Sequence, residues 1–173
     1  MDTIMRGKAW VFGDHINAES IMATGTDFNP ALAAEKCLAH YDPEFAKGVK
    51  PGDILVAGRN FGNSSSRAGG RVLKFLGVSA IVCDSSSRIF FRNTWNFGVP
   101  VLECPGVSKM ISKGDEVEVD VETGEIKNLT TGQTAQADKI IDLLVEKWRA
   151  GGMIEWVRRN RSKFGTLDQE YSG

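Results

Sequence analysis

The sequence predicts an α/β fold centred on a parallel β-α-β-α-β unit, and three observations support that prediction. Short apolar runs bounded by turn residues, typical of strands buried on both faces of a sheet, occur at residues 53–58, 78–84 and 99–104. The two stretches between these runs place apolar residues at helical spacing. Strands and helices that alternate at these lengths fit right-handed crossovers, so the three strands are expected to be parallel neighbours in one sheet.

The N-terminal part is predicted to contain a strand, a long loop and a helix. Apolar and polar residues alternate over about residues 7–12, which favours a strand. Residues 14–30 are polar, rich in glycine and asparagine and without a sustained period, which predicts a long loop, and long ordered loops are often functional. A helix is expected from Pro30 to about His40, because proline suits the first turn and good helix formers follow it.

The two crossover helices are marked by their ends. The first is expected within "RAGGRVLKFLG", where Gly77 is placed as a C-terminal cap. The second is expected within "SSSRIFFRNTWNFG", which begins with serines suited to a helix N-cap and ends at Gly98. Both helices join strands that are predicted to be buried, so each is expected to pack on the sheet.

The C-terminal third changes character. "DEVEVDVETGEIKNL" alternates valines with acidic residues and turns at Thr123-Gly124, which predicts a β-hairpin with one exposed face. "DKIIDLLVEKWRAGG" has the apolar spacing of an amphipathic helix that stops at Gly151-Gly152. "MIEWVRRNRSKF" adds a short helix, and the tail from Gly165 is expected to fray.

Composition limits the possible functions. With 42% hydrophobic residues, the 173-residue chain can bury a core without disulfides, and its net charge of −1 gives no general attraction for nucleic acid or a membrane surface. No segment is apolar enough to span a membrane. The three cysteines are far apart and contain no C-x-x-C pair, so no metal site is expected in this chain. Buried reduced thiols in a cytoplasmic protein are the expectation.

The stretch "NFGNSSSRAGG", residues 60–70, follows the first strand of the central unit. In open α/β sheets, ligands collect at the carboxyl ends of the parallel strands. Three serines at the start of a helix offer donors to an anion, and Arg67 could clamp a carboxylate. The alternative is that Ser65 or Ser66 only caps the helix, and local pattern does not decide between the two interpretations.

Two other polar groups are candidates for the same edge of the sheet. Arg88 and Arg92 lie four residues apart, and therefore on one helix face, although arginines so placed are often merely solvated. Asp14-His15 after the first strand could form an acid–histidine pair or be structural. A nucleotide-binding glycine fingerprint, a Walker A loop and a G-x-S-x-G nucleophile elbow are all missing from the sequence, which disfavours those enzyme classes.

Several ordered segments resemble one family. They are "GDHIN", "DPEFAKGVKPGDILVAGRNFG", "RIFFRN", "NFGVPVLEC" and "GDEVEVDVETGEIKNLTTGQ", and together they are similar to the small subunit of 3-isopropylmalate dehydratase, which corresponds to the swivelling domain of aconitase. The resemblance implies that residues 1–173 form a single β/β/α swivelling domain with a β-hairpin and C-terminal helices beside the parallel unit. It also implies a hydro-lyase of leucine biosynthesis that acts on a small 2-hydroxy dicarboxylate.

The same resemblance implies a division of labour between two subunits. This chain would bind no cofactor, and a large subunit would carry a [4Fe-4S] cluster in a heterodimer or heterotetramer. Carried onto this sequence, the family motif makes Ser66 the base that takes the proton from carbon, with Ser65 and Arg67 binding substrate carboxylate. The other residues expected at the site are the catalytic Asp14 and His15 and the substrate-binding Asn63 and Ser64.

The sequence departs from the family pattern in three places. Ala68-Gly69-Gly70 replaces the usual Glu-His-Ala, Asn17-Ala18-Glu19 replaces Asp-Thr-Asp, and "MATGTDF" has no counterpart of the family's substrate-loop arginine. These departures leave two alternatives open. One is a related dehydratase that acts on a homoaconitate, methylmalate or dimethylmalate type of substrate, and the other is a non-catalytic module that binds a carboxylate.

Overall fold

The computed structural model of the chain describes residues 3–22, 29–64 and 68–164. In these ranges one sheet contains seven strands: β1 (Ile4–Val11), β2 (Ile54–Ala57), β3 (Ala80–Cys83), β4 (Val101–Glu103), β5 (Glu116–Asp120), β6 (Glu125–Asn128) and β7 (Thr134–Gln136). The strand order is β4-β3-β2-β1-β5-β6-β7. Strands β1 to β4 are parallel neighbours, whereas β5, β6 and β7 continue the sheet from β1 with antiparallel pairing.

Seven α-helices accompany the sheet in the described part of the chain: α1 (Ala18–Ile21), α2 (Pro30–Ala34), α3 (Phe45–Gly48), α4 (Gly69–Phe75), α5 (Arg88–Asn96), α6 (Asp142–Ala150) and α7 (Met153–Arg159). Helix α4 connects β2 with β3, and α5 connects β3 with β4. The predicted β-α-β-α-β unit is therefore confirmed, as are the hairpin of β5 and β6 and the C-terminal helices. The tail predicted to fray from Gly165 lies outside the described residues.

The helix expected from Pro30 to His40 is shorter than predicted, because α2 ends at Ala34 and turns follow. Leu38 adopts a left-handed backbone conformation with φ of 55°, which an α-helix does not tolerate. Its side chain is fully buried and its amide donates to the Ser20 carbonyl at 2.7 Å. A tertiary contact with the segment around α1 thus overrides the local helix preference.

Strands β2 and β3 are continuous apolar runs because both lie in the core. Every residue of both strands is buried, so the rest of the chain covers both faces of the parallel part of the sheet. The three cysteines are also buried and unpaired, and burial raises the pKa of each thiol, which keeps them protonated. Across residues 3–22, 29–64 and 68–164, no helix has the length and apolar character needed to cross a bilayer.

Asp53 fixes how β1 and β2 start together. Its carboxylate, in a residue only 8% exposed, accepts hydrogen bonds from the Trp10 indole at 2.9 Å and from the Lys50 amide at 2.9 Å. The Lys8 amide adds a longer bond of 3.3 Å. Because these bonds join β1 to the turn before β2, the register is set at the amino ends, and the carboxyl ends of both strands arrive side by side.

We expect Thr94→Val to raise the free energy of unfolding by about 1 kcal/mol, because the Thr94 hydroxyl is buried without a hydrogen-bond partner among the described residues. Urea denaturation of both proteins measures the difference. Thr94→Ser keeps the hydroxyl but removes a buried methyl group, and it should lower stability by about 1 kcal/mol. A valine variant less stable than the parent would mean that the hydroxyl is satisfied in solution.

Candidate active site

The candidate site forms where the segments after β1 and β2 continue side by side. Beyond the strand ends, the His15 amide donates to the Arg59 carbonyl at 2.7 Å and the Gly62 amide donates to the Ile16 carbonyl at 2.8 Å. The Ala18 amide then donates to the Asn63 carbonyl at 2.9 Å. These bonds tie residues 13–18 to residues 58–63, so two loops that are distant in sequence form one ordered wall at the carboxyl end of the sheet.

Asp14 is bound by Arg59 from three directions. The Arg59 amide donates to Oδ1 at 2.8 Å, while its Nε and Nη2 donate to Oδ2 at 3.0 and 2.7 Å. The hydrogen bonds from the Arg59 backbone amide and guanidinium hold the pKa of Asp14 below its usual value, so the carboxyl stays ionised. Gly58 makes the approach possible, since a Cβ at that position would overlap the Asp14 carboxylate.

His15 and Asn60 form a second polar pair in the same wall. Asn60 Nδ2 lies 3.3 Å from His15 Nδ1, so the imidazole accepts through Nδ1 and leaves Nε2–H exposed when the ring is neutral. Both residues have φ of 57°. The sequence had suggested an acid–histidine pair, but across the described residues no hydrogen bond joins Asp14 to His15. Each side chain binds a residue of the second loop instead.

The central residues of the serine loop, Ser65, Ser66 and Arg67, lie outside the described residues. Before them, Ser64 is exposed with φ of 63°, and Asn63 Nδ2 donates to the Asn60 carbonyl at 3.3 Å. After them, α4 begins at Gly69, and its N-cap position belongs to Ala68, whose side chain accepts no hydrogen bond. The described flanks therefore do not support the alternative in which a serine of this loop serves as the N-cap of α4.

The Gly69-Gly70 departure has a packing explanation. A Cβ at Gly69 would lie 3.1 Å from Ile21 Cγ2 in α1, and a Cβ at Gly70 would lie 2.7 Å from Thr94 Cα in α5. The contact at Gly70 involves backbone, which cannot move aside as a flexible side-chain tip can. The start of α4 is thus wedged between α1 and α5, and the loss of side chains at these positions fits that close approach.

Helix α5 is attached to the same wall. The N-cap Ser87 receives the Phe90 amide at 3.3 Å, and its hydroxyl donates to the Gly62 carbonyl at 2.7 Å. The Asn60 amide donates to Ser85 Oγ at 2.9 Å. The prediction that a serine caps this helix is confirmed. The capping serine also attaches α5 to the segment that leads into the serine loop.

Arg88 and Arg92 are exposed and line one cavity of about 590 Å³ beside this attachment. Neither guanidinium has a hydrogen-bond or ion-pair partner among the described residues. Glu103, in the same cavity, accepts from the Ser86 amide at 2.6 Å and the Ser86 hydroxyl at 2.7 Å. The site is therefore flanked by a cavity with two arginines and one carboxylate, which leaves an excess of positive charge separate from the Asp14–Arg59 pair.

A metal site would require several His, Cys, Asp or Glu side chains to lie close together. Over the parts of the chain that the structure describes, no group of three or more His, Cys, Asp and Glu side chains is arranged to hold a metal ion. The buried, separated cysteines do not fit a cluster.

Comparison with known proteins agrees with this geometry. The profile of the Aconitase C-terminal domain family matches residues 13–106, which include both loops of the site and the whole β-α-β-α-β unit. The chain belongs to this family. The isopropylmalate/citramalate isomerase small subunit of Methanocaldococcus jannaschii is 39% identical over 94% of this chain and 99% of its own length. The 3-isopropylmalate dehydratase small subunit of Methanosarcina mazei is 45% identical over 90% of this chain and 97% of its own length.

A solved structure extends the match to three dimensions. The crystal structure of 3-isopropylmalate dehydratase from Methanocaldococcus jannaschii superposes with a TM-score of 0.84 at 33% identity and covers 94% of this chain and 99% of its own. The family resemblance and the fold class predicted from the sequence are both confirmed. The roles of individual site residues remain predictions.

Sequence reasoning missed Arg59 and Asn60 as site residues. Both lie in "GRNFG", which follows β2, whereas Asp14-His15 follows the neighbouring strand β1. The signal that could identify them is their position directly after a buried strand, in the same loop as the three serines.

We expect Asp14→Asn to be less stable than the parent protein at pH 7, because it removes a carboxylate whose pKa is depressed by Arg59. A depressed pKa contributes stability above the unfolded pKa of about 4, and this contribution disappears as the pH falls through the lower folded value. The difference in urea midpoint between the two proteins should therefore shrink as the pH falls below about 4. Glu35→Gln, an exposed carboxylate without a described partner, is the control and should give no such difference.

Proposed function

We propose that this chain is the small subunit of a 3-isopropylmalate dehydratase-type hydro-lyase that works with an iron–sulfur large subunit in the cytoplasm. The observation that carries the proposal is similarity to small subunits of this kind over 90% and 94% of the chain, together with the ordered wall that flanks the Ser65–Arg67 loop. The three unpaired buried cysteines are compatible with a reducing compartment.

The share of the reaction assigned to this chain is proton transfer and carboxylate binding. Ser66 takes the proton from the carbon next to the carbon that bears the leaving hydroxyl group, and the C–H electron pair forms the double bond. The hydroxyl group takes up a second proton, from an acid of the assembled site, and departs as water. Ser65 and Arg67 bind a substrate carboxylate, and Asn63 and Ser64 add polar groups from the described edge of the loop. A serine hydroxyl is a weak base in water, so nearby cations and hydrogen-bond donors are needed to favour its deprotonated form.

Asp14 and His15 are assigned supporting roles in that site. The Asp14 carboxylate neutralises Arg59 and holds it against the wall, so Arg67 is proposed as the cation available to the substrate. His15 presents Nε2 from a ring fixed through Nδ1 by Asn60, which suits a donor to substrate or to the leaving water. These roles are consistent with chemistry on a dianionic hydroxy acid.

A second substrate has a specific observation in its favour. The Methanocaldococcus jannaschii relative carries a name that includes citramalate, a 2-methylmalate, beside isopropylmalate. In this chain Asn17, within the departure from Asp-Thr-Asp, serves as the N-cap of α1 and accepts from the Ser20 amide at 2.8 Å. The name of that relative makes a citramalate-type substrate the main alternative to isopropylmalate, ahead of homoaconitate or dimethylmalate. The non-catalytic alternative loses support because the relatives are named as isomerase or dehydratase subunits.

We expect Ser66→Ala to reduce kcat by at least about 10²-fold, the scale of general-base catalysis, with little change in assembly. The measurement is dehydration of 3-isopropylmalate and of citramalate by the subunit mixed with its large subunit under anaerobic conditions. The control is Ser112→Ala, an exposed serine in the turn before β5, which should retain full activity. Unchanged turnover in the Ser66 variant would reject Ser66 as the base. No turnover on either acid by the unsubstituted complex would reject the proposed function.

A further inference from the structure

Two neighbouring cavities form a groove along helix α5, which we call the α5 groove. One, of about 590 Å³, contains Arg88 and Arg92. The other, of about 170 Å³, contains Ile141 and Leu144. Phe91 and Glu103 line both, so the cavities are neighbours, with a basic end at Arg88 and Arg92 and an end that we call apolar at Ile141 and Leu144. Asp138 and Lys139, which carry opposite charges, also line the second cavity.

The basic end is suited to carboxylates. Arg88 and Arg92 are one helical turn apart and face the same cavity, and neither is paired in the described part of the chain. The carboxylate of Glu103 receives two hydrogen bonds from Ser86 through one oxygen. Two free guanidiniums against one engaged carboxylate leave an excess of positive charge, and guanidinium binds carboxylate with directional paired hydrogen bonds.

At the apolar end, helix α6 starts with an unfavourable N-cap residue. Ile141 occupies the N-cap of α6, where it makes no capping hydrogen bond, and its relative exposure is 61%. Serine, threonine, aspartate and asparagine are strongly preferred at an N-cap, and apolar side chains are disfavoured. A large apolar side chain that is exposed and unhelpful to its own helix indicates a role outside the monomer fold.

The α5 groove begins beside the active site. Ser87 Oγ donates to the Gly62 carbonyl, and the Phe61 amide donates to the Ser85 carbonyl at 3.0 Å. A protein that covers the serine loop to complete the site would therefore pass over the basic end of the groove.

We propose that the α5 groove is the docking surface for the large subunit, and that it receives a segment with carboxylates at the Arg88–Arg92 end and apolar side chains at the Ile141 end. This inference rests on the proposed function. The excess of positive charge favours a segment with acidic side chains, and the exposed isoleucine favours apolar side chains. The attachment of α5 to the site loop places these two binding regions next to the proposed catalytic cleft.

The first test reverses the charge of the basic end. Arg88→Glu combined with Arg92→Glu should weaken binding of the purified large subunit by at least about tenfold in 50 mM salt, as expected for lost electrostatic complementarity. The effect should shrink in 500 mM salt, where exposed charges are screened. Lys47→Glu with Lys50→Glu makes the same charge change at exposed residues near the opposite end of the parallel strands and should leave Kd within about twofold.

The second test changes the apolar end without harming the fold. Ile141→Asp places a preferred N-cap residue at the start of α6, so the variant should fold at least as well as the parent. We expect Kd to rise about fivefold or more, since a charge replaces an apolar contact. The control is Ile154→Asp in the first turn of α7, where an isoleucine of 65% relative exposure is replaced by the same acidic residue near a helix N-terminus.

The results separate the two proposals. Calorimetric titration gives Kd, and activity at saturating large subunit should return kcat to the parent value, because the groove lies outside the catalytic loop. Normal binding by both groove variants would overturn the docking surface while the enzyme assignment stands. Self-association of the parent, seen by sedimentation and lost in the groove variants while the Kd for the large subunit is unchanged, would make the groove a contact between copies and also overturn it. No binding by the parent would reject the two-subunit function itself.

Discussion

The arrangement of the site depends on backbone pairing that continues beyond the ends of β1 and β2. Parallel strands normally separate after their last ladder bond, but here residues 13–18 and 58–63 remain joined through further amide–carbonyl bonds. This pairing brings Asp14 to Arg59, and it brings His15 to Asn60. Because backbone groups make the connection, the wall is fixed by the fold itself, and the side chains only determine what it presents to a ligand.

Close packing between helices determines where α4 can begin. The serine loop must return to the sheet through α4, and α4 starts in the narrow space between α1 and α5. Side chains at Gly69 and Gly70 would compete for this space, so glycine there trades helix propensity for close approach. The departure from the family's Glu-His-Ala is in this sense a feature of packing, and it leaves the neighbouring serine and arginine positions of the motif unaltered in sequence.

The sequence predicted those features that have a local or periodic cause. Buried strands, crossover helices and the capping role of Ser87 follow from apolar runs and from residues at helix ends. The features that were missed depend on contacts between distant segments. Leu38 stops a helix because it packs near α1, and β7 forms because β6 offers it an edge, though residues 134–136 have no strong strand pattern. Arg59 could not be paired with Asp14 from spacing alone, since the two are 45 positions apart.

The charges at this edge of the sheet divide into those already satisfied and those left open. The Asp14–Arg59 pair is internally neutral, and its hydrogen bonds occupy both oxygens of the carboxylate. Arg88 and Arg92 have no such partner among the described residues, although the guanidinium group pairs readily with carboxylates. A folded chain that leaves two guanidiniums and an N-cap isoleucine exposed on one groove therefore has a surface whose interactions are incomplete. This surface lies beside the serine loop, so under the proposed function the large subunit that completes the active site would also bind the groove.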